Sequence, residues 1–265
     1  MEVHHHPQLK HEPKPWKEYL LEGFMIFIAV LMGFIAENIR EHISDNSREK
    51  EFAKVLYTEL RDDSIAAAGK LQLRVGKTRE LDYLYHYFKD SSLAVLPRKF
   101  YPSFTVGIYL INRYAFEPKD GILSQLRNSG SLRYFKSIQL QKLLGDLSVD
   151  INNMRYRNEQ EYQYFASPIK PFLLKHFDFN WLNQLRNENT SPNIDDAFKD
   201  YTSGKITATG TMLNSASFDR GEAANIAGFY RQLIVSTNSL QLNNYIVNNH
   251  KVLEELRKNY SLENE

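Results

Sequence analysis

A chain of 265 residues with 42% hydrophobic and 25% charged side chains can bury a real core, which excludes disorder over most of its length. Its 33 Lys and Arg against 32 Asp and Glu leave a net charge of +1, so no global field points to nucleic acid or to an acidic partner. With no cysteine, disulfides, thiolate metal sites and a cysteine nucleophile are excluded.

Residues 1–15 carry His4, His5, His6 and His11 among Pro7, Pro13 and Pro15, a composition that neither buries apolar surface nor sustains a helix. A mobile basic tail is expected. Three adjacent histidines are of the right type to bind a transition metal. No carboxylate or thiolate stands at a fixed spacing beside them, so no metal site is assigned.

Residues 16–40, WKEYLLEGFMIFIAVLMGFIAENIR, contain an apolar run from Gly23 to Ala36 with no counterpart elsewhere. Read as a helix from Tyr19 to Ile39, about 21 residues at ~1.5 Å each give roughly 31 Å, about the hydrocarbon thickness of a bilayer. A transmembrane anchor is expected, with Trp16 and Tyr19 at headgroup depth. A cleaved signal peptide competes, but Phe34 and Leu31 stand where a cleavage site needs small residues. A buried core helix must explain why Phe24 to Ile35 carry no polar stripe. No second span is found, so a single crossing is expected. Lys10, Lys14 and Lys17 oppose Arg40, Arg48 and Lys50 across the span. This small bias puts the N-terminus in the cytoplasm and the main domain in the periplasm, with the anchor in the inner membrane.

Within the anchor Glu22, Ile26, Ala29, Gly33, Ala36 and Arg40 recur at steps of four and three, on one helix stripe. Small residues there permit close helix approach, so the stripe is the expected helix–helix interface in the membrane. For Glu22 two readings stand: a proton-accepting carboxylate facing a partner in an ion-driven complex, or a side chain one turn inside the headgroups.

From residue 41 to 262 an all-α, long-helix extramembrane domain is expected, with residues 41–68 as a candidate stalk and at most one minor strand. Ser44 to Ser47 offer N-cap side chains and suggest a helix break, with Asn46 and Glu49 at capping-box spacing. Phe52, Val55, Leu56, Leu60, Leu81, Leu84, Tyr85 and Phe88 form one apolar face. Pro97 and Pro102 end that pattern, and Thr105 to Phe116 suggests a short buried helix. Pro118 to Asn128 reads as a helix with proline in its first turn and Ser129-Gly130 as its stop.

Ser137 caps a long helix to about Ala166, with Ile138, Leu140, Leu143, Leu144, Leu147, Ile151 and Met154 inward and Arg155, Arg157, Glu159 and Glu161 solvated. Pro168 and Pro171 are expected to stop it. Tyr156, Tyr162, Tyr164, Phe172 and Trp181 form an aromatic set that serves either a ligand or packing, packing being the commoner cause. After a short acidic helix at Asp195 to Tyr201, Lys205 to Leu213 suggests a strand or extended loop. A final helix from about Gly221 to Tyr260 presents Ile226, Tyr230, Leu233, Thr237 and Leu240, then Tyr245, Val252 and Leu256.

Phosphate loops, nucleophile elbows, zinc-protease and calcium-loop patterns are absent. His176 and Asp178 are the only close His and Asp pairing, without a nearby serine or metal ligand. The adjacent carboxylates Asp62-Asp63 and Asp195-Asp196 diverge by about 100° on a helix and share no site. No catalytic residue, cofactor or enzyme activity is assigned.

The run Leu21, Glu22, Met25, Phe27, Ala29, Val30, Gly33, Phe34, Ala36 and Glu37, behind a His- and Lys-containing tail with Trp16, resembles the anchor of an uncharacterised family of single-pass membrane proteins of Bacteroidota. Residues Leu126 to Leu132 resemble its helix, turn and next-helix signature. The resemblance implies an inner-membrane anchored, mostly helical protein and supplies no catalytic residues.

The expectation is therefore a membrane-anchored helical scaffold or interaction protein, its partners the lipid bilayer and a second copy or a larger membrane complex. A single-pass ligand-sensing domain and an accessory subunit of an ion-driven complex using Glu22 are the alternatives.

Overall fold

The computed structural model describes residues 15–188 and 191–262, so the histidine tail expected at residues 1–15 lies almost entirely outside the described residues. The protein is all-α, with no strand among the described residues. Two compact units divide it, residues 1–51 and residues 52–265.

Helix α1 spans Trp16–Asp90. In the first unit every large apolar side chain from Leu20 to Ile39 is exposed, from 37% at Ile28 to 69% at Phe34, on all sides of the helix. Among the described residues α1 is the one helix long and apolar enough to cross a membrane. The break expected at Ser44 to Ser47 does not occur, since α1 passes through it. Ser, Asp and Asn cost only tenths of a kcal/mol each inside a helix, about 0.5 apiece, whereas a new helix must be nucleated afresh.

In the second unit α1 carries a buried stripe at alternating steps of three and four: Ala53, Leu56, Leu60, Asp63, Ala67, Lys70, Arg74, Lys77, Leu81, Leu84 and Phe88. All are buried except Lys70, which is half-buried. Such spacing is the seam along which helices pack. Its first part enters an aliphatic core with α3 (Gly121–Asn128), α4 (Ile138–Tyr164) and α9 (Asn243–Tyr260). Its last part enters an aromatic core with α2 (Phe100–Phe104), α5 (Lys170–His176), α6 (Phe179–Glu188), α7 (Ile194–Ser203) and α8 (Arg220–Thr237).

Several expected boundaries move. The helix expected over Thr105 to Phe116 is only a π-helical turn, Thr105–Tyr109, continuing α2. Beyond it the carbonyls of Leu110, Arg113 and Tyr114 accept from side chains of α1. Helix α3 begins at Gly121, not at Pro118, because carboxylates of α1 receive the backbone N–H groups there: Asp63 accepts from Lys119 at 2.6 Å and Glu59 from Ile122 at 3.2 Å. Its stop is as expected, with Gly130 at φ 70°.

Ser137 caps α4, accepting from the Leu140 N–H at 3.1 Å. Ile138 is exposed rather than inward, as the first helical residue beyond the cap. The prolines do not stop the helical path: Pro168 sits in a π-helical turn, Phe165–Ile169, and Pro171 in the first turn of α5. In that wider turn the Lys170 N–H reaches the Phe165 carbonyl, a pattern that tolerates the missing proline donor. A third π-helical turn, Asn238–Leu242, joins α8 to α9 where one helix was expected, and Leu240 on it is exposed.

Residues 205–213 form no strand. Thr207, Thr209 and Thr211 donate their N–H groups to side chains of Glu188, Gln184 and Asp178, and Leu213 donates to the His176 carbonyl. Side-chain acceptors at every second residue thus replace a neighbouring strand.

Candidate functional site

In the first unit Glu22, Ile26, Ala29, Gly33, Ala36 and Arg40 lie on α1 and are exposed, and a Cβ built on Gly33 meets nothing within 4 Å. Arg40 Nε donates to Glu37 at 2.9 Å, so the basic end of the stripe is ion-paired within its own helix.

The aromatic set is not gathered into one site. Tyr156 and Tyr162 are exposed, while Tyr164 packs on Phe229 with ring centroids 4.7 Å apart and donates to the Ile226 carbonyl at 3.2 Å. Phe172 stacks on Phe104, and Trp181 lies at the centre of the aromatic core, stacked on Tyr101 at 4.9 Å. Phe172 and Trp181 are thus packing residues of the aromatic core with Tyr164 against it, while Tyr156 and Tyr162 lie at the surface. Tyr162 borders a cleft of about 180 Å³ with Tyr109, Phe165, Lys170, Leu174 and Phe179.

His176 and Asp178 tie down the 211–213 segment instead of facing each other: His176 Nδ1 lies 3.0 Å from the Leu213 carbonyl, and Asp178 takes the Thr211 and Asn180 N–H groups.

The most concentrated chemistry lies midway along the α1 stripe, between the two cores. Arg74 is fully buried; its Nη1 donates to the Tyr114 carbonyl at 2.9 Å and to Glu161 at 3.1 Å, Nη2 donates to the other Glu161 oxygen, and Nε donates to Asn238 at 2.6 Å. Glu161, expected in solvent, is buried on α4 and also accepts from Thr237 at 2.6 Å. A bidentate pair whose remaining donors and acceptors are also largely hydrogen-bonded is the form in which buried charges are tolerated.

One turn on, the fully buried Lys77 donates to the Leu110 carbonyl and the Tyr230 hydroxyl, both at 3.0 Å. Its ammonium also sits 4.6 and 4.5 Å from the ring centroids of Tyr114 and Tyr230. Burial pushes its pKa down to about 7, with Arg74 adding to the shift and Glu161 opposing it. Lys70, one turn earlier, donates to the Arg113 carbonyl at 2.7 Å. The side chains of Lys70, Arg74 and Lys77 therefore hold one irregular segment against α1 by its main-chain carbonyls.

The three π-helical turns border this layer. One precedes Leu110, one follows Glu161, and one begins at Asn238. Such turns often lie at functional sites. A groove of about 390 Å³ lined by Gly69, Leu73, Gly76, Arg113 and Tyr114 reaches Lys77, and a cleft of about 260 Å³ lined by Glu117, Asn158 and Tyr162 reaches Glu161.

A second buried polar cluster lies in the aliphatic core. Asp63 accepts from the Tyr245 hydroxyl at 2.8 Å, and Asn249 donates to Tyr245 and to the Leu60 carbonyl. Burial raises the Asp63 carboxyl above its ordinary range, against the lowering by its hydrogen bonds.

None of these residues was singled out as a site from the sequence. The signal was present, since Asp63, Lys70, Arg74 and Lys77 occupy positions that the apolar spacing of α1 reserves for its buried seam. Chemically the layer holds charge and positions backbone. Among the described residues no group of three His, Asp or Glu side chains converges as metal ligands would. No family model matches the chain, and no curated protein or solved structure matches it either.

Proposed function

We propose that this chain is a membrane-anchored helical scaffold or interaction protein without catalytic activity, which self-associates or joins a larger envelope complex. The observation that carries the reading is the run from Leu20 to Ile39, apolar and exposed around the whole circumference of α1, which water does not tolerate and a bilayer does. The small residues Ala29 and Gly33 supply a face for close helix contact. Orientation with the N-terminus in the cytoplasm, an inner-membrane location and the resemblance to the single-pass family belong to the same proposal.

The absence of native cysteine makes the test clean. Single cysteines replacing Ala29 or Gly33 are expected to crosslink in native membranes, and one at Phe27 on the opposite side of the helix is not. No crosslinked species at any stripe position, with a monomeric mass in mild detergent and nothing copurifying, overturns the reading.

A ligand-sensing domain is the second reading, favoured by the apolar cleft beside Tyr162 with Lys170 at its edge. An apolar carboxylate that fits it should raise the melting temperature of the chain in detergent, and Lys170→Met should remove that rise.

A further inference from the structure

We propose that Lys77 is the proton-binding element of a latch: closure of the segment 110–114 on α1 is strongest with a neutral amine, and protonation of Lys77 weakens it. Nothing in this inference depends on the membrane reading.

The geometry carries it. Lys77 is fully buried, yet among the described residues no carboxylate pairs with its Nζ, because Glu161 is committed to Arg74 and Thr237. A buried ammonium without a counterion is costly, while a buried neutral amine is not. The site accommodates both forms. A charged Lys77 donates to the Leu110 carbonyl and Tyr230 oxygen; a neutral one still donates to Leu110 and accepts the Tyr230 proton. Burial holds that tyrosine far above its ordinary range, so its proton is always there to give.

Other charged groups around the site leave Lys77 as the element that changes. Arg74 beside it on α1 keeps its charge as a guanidinium and faces Glu161 of α4. Lys70 holds the Arg113 carbonyl, and Arg113 pairs with Asp195 of α7. Glu80 accepts from Ser103, and the phenols Tyr114, Tyr164 and Tyr230 are raised by burial. The groove along Gly76 and Tyr114 gives water a route to the amine once it opens.

The sign follows from linkage. Between about 7, the value in the closed layer, and the ordinary 10.5, an open or unfolded segment binds one more proton than the closed one. Closure therefore strengthens as pH rises through that window and is weakest, and flat, below it.

Hydrogen exchange of residues 110–114 in the full-length chain in mild detergent, corrected for intrinsic rates, tests this. Protection is expected to rise on the order of tenfold per pH unit above 7 and to be flat below 6. Lys77→Met should abolish the slope. A lysine-selective carbon-13 titration of the wild type, with the Lys77 signal identified by its loss in Lys77→Met or by its slow solvent exposure, is expected to show one midpoint near 7. All lysines titrating above 9.5, or an unchanged slope in Lys77→Met, overturns the proposal; if that variant fails to fold, the wild-type titration decides alone.

Discussion

The second unit is built from two cores that solve the packing problem differently. The aliphatic core, with Leu56, Leu60, Leu144, Leu147, Ile151 and Leu253, lies between the long helices α1, α4 and α9. Long helices with three-and-four spacing present regular ridges, and leucines fill the grooves between them. Around the aromatic core α1 and α8 meet a set of short helices: α2 has 5 residues, α5 has 7, and α6 and α7 have 10 each. Short segments meet at varied angles and leave irregular space, which large flat rings fill. Phe104 lies nearly parallel to Phe177 at 5.1 Å, while Phe88 meets Phe100, Phe104 and Phe172 edge-on. Between the two cores the same seam of α1 is ionic.

That contrast can be broken where it is sharpest. Arg74→Met leaves Glu161 buried without its counterion and should destabilise the second unit by about 5 kcal/mol in denaturant titration. Arg74→Met combined with Glu161→Leu should recover most of that loss, because an apolar pair replaces an orphaned charge. A double variant no more stable than the single one would mean that the layer holds backbone carbonyls rather than neutralises a charge.

The two cores should also differ under truncation. Trp181→Ala in the aromatic core is expected to cost about 4 kcal/mol and Leu144→Ala in the aliphatic core about 3, since the larger void collapses less completely. Trp181 Nε1 has no hydrogen-bond partner among the described residues, so its loss is one of packing. Equal costs in the two variants would show that the short helices of the aromatic core relax around the void. The smallest effect lies outside both cores: Ser137→Ala removes the α4 cap and should cost about 1 kcal/mol, visible as a lower melting temperature.

The sequence made much of this legible where the cause is local. The apolar run of α1, the Ser137 cap, the Gly130 stop and the leucine face of α4 each depend on residues within a turn or two of one another. Pro168 misled because a π-helical turn shifts which carbonyl each N–H reaches, and Pro171 because it falls in the first turn of α5, where proline is tolerated. Pro118 misled because the true start of α3 is set by Glu59 and Asp63 on another helix. Of the candidate sites, the aromatic set dispersed into packing and surface positions, and the ionic layer passed unseen.

What the sequence alone determined is the helical class and a segment that water rejects, because hydropathy and capping act over a few residues. Which charges are buried was decided only by the tertiary structure. Arg74 and Glu161 stand 87 positions apart, and Arg74 and Asn238 stand 164 apart. In one dimension each reads as a solvated side chain, because solvent is the default home of a charge and its partner is out of view. Folding places them within hydrogen-bond distance in a buried layer, where each charge is tolerable only because the other is there.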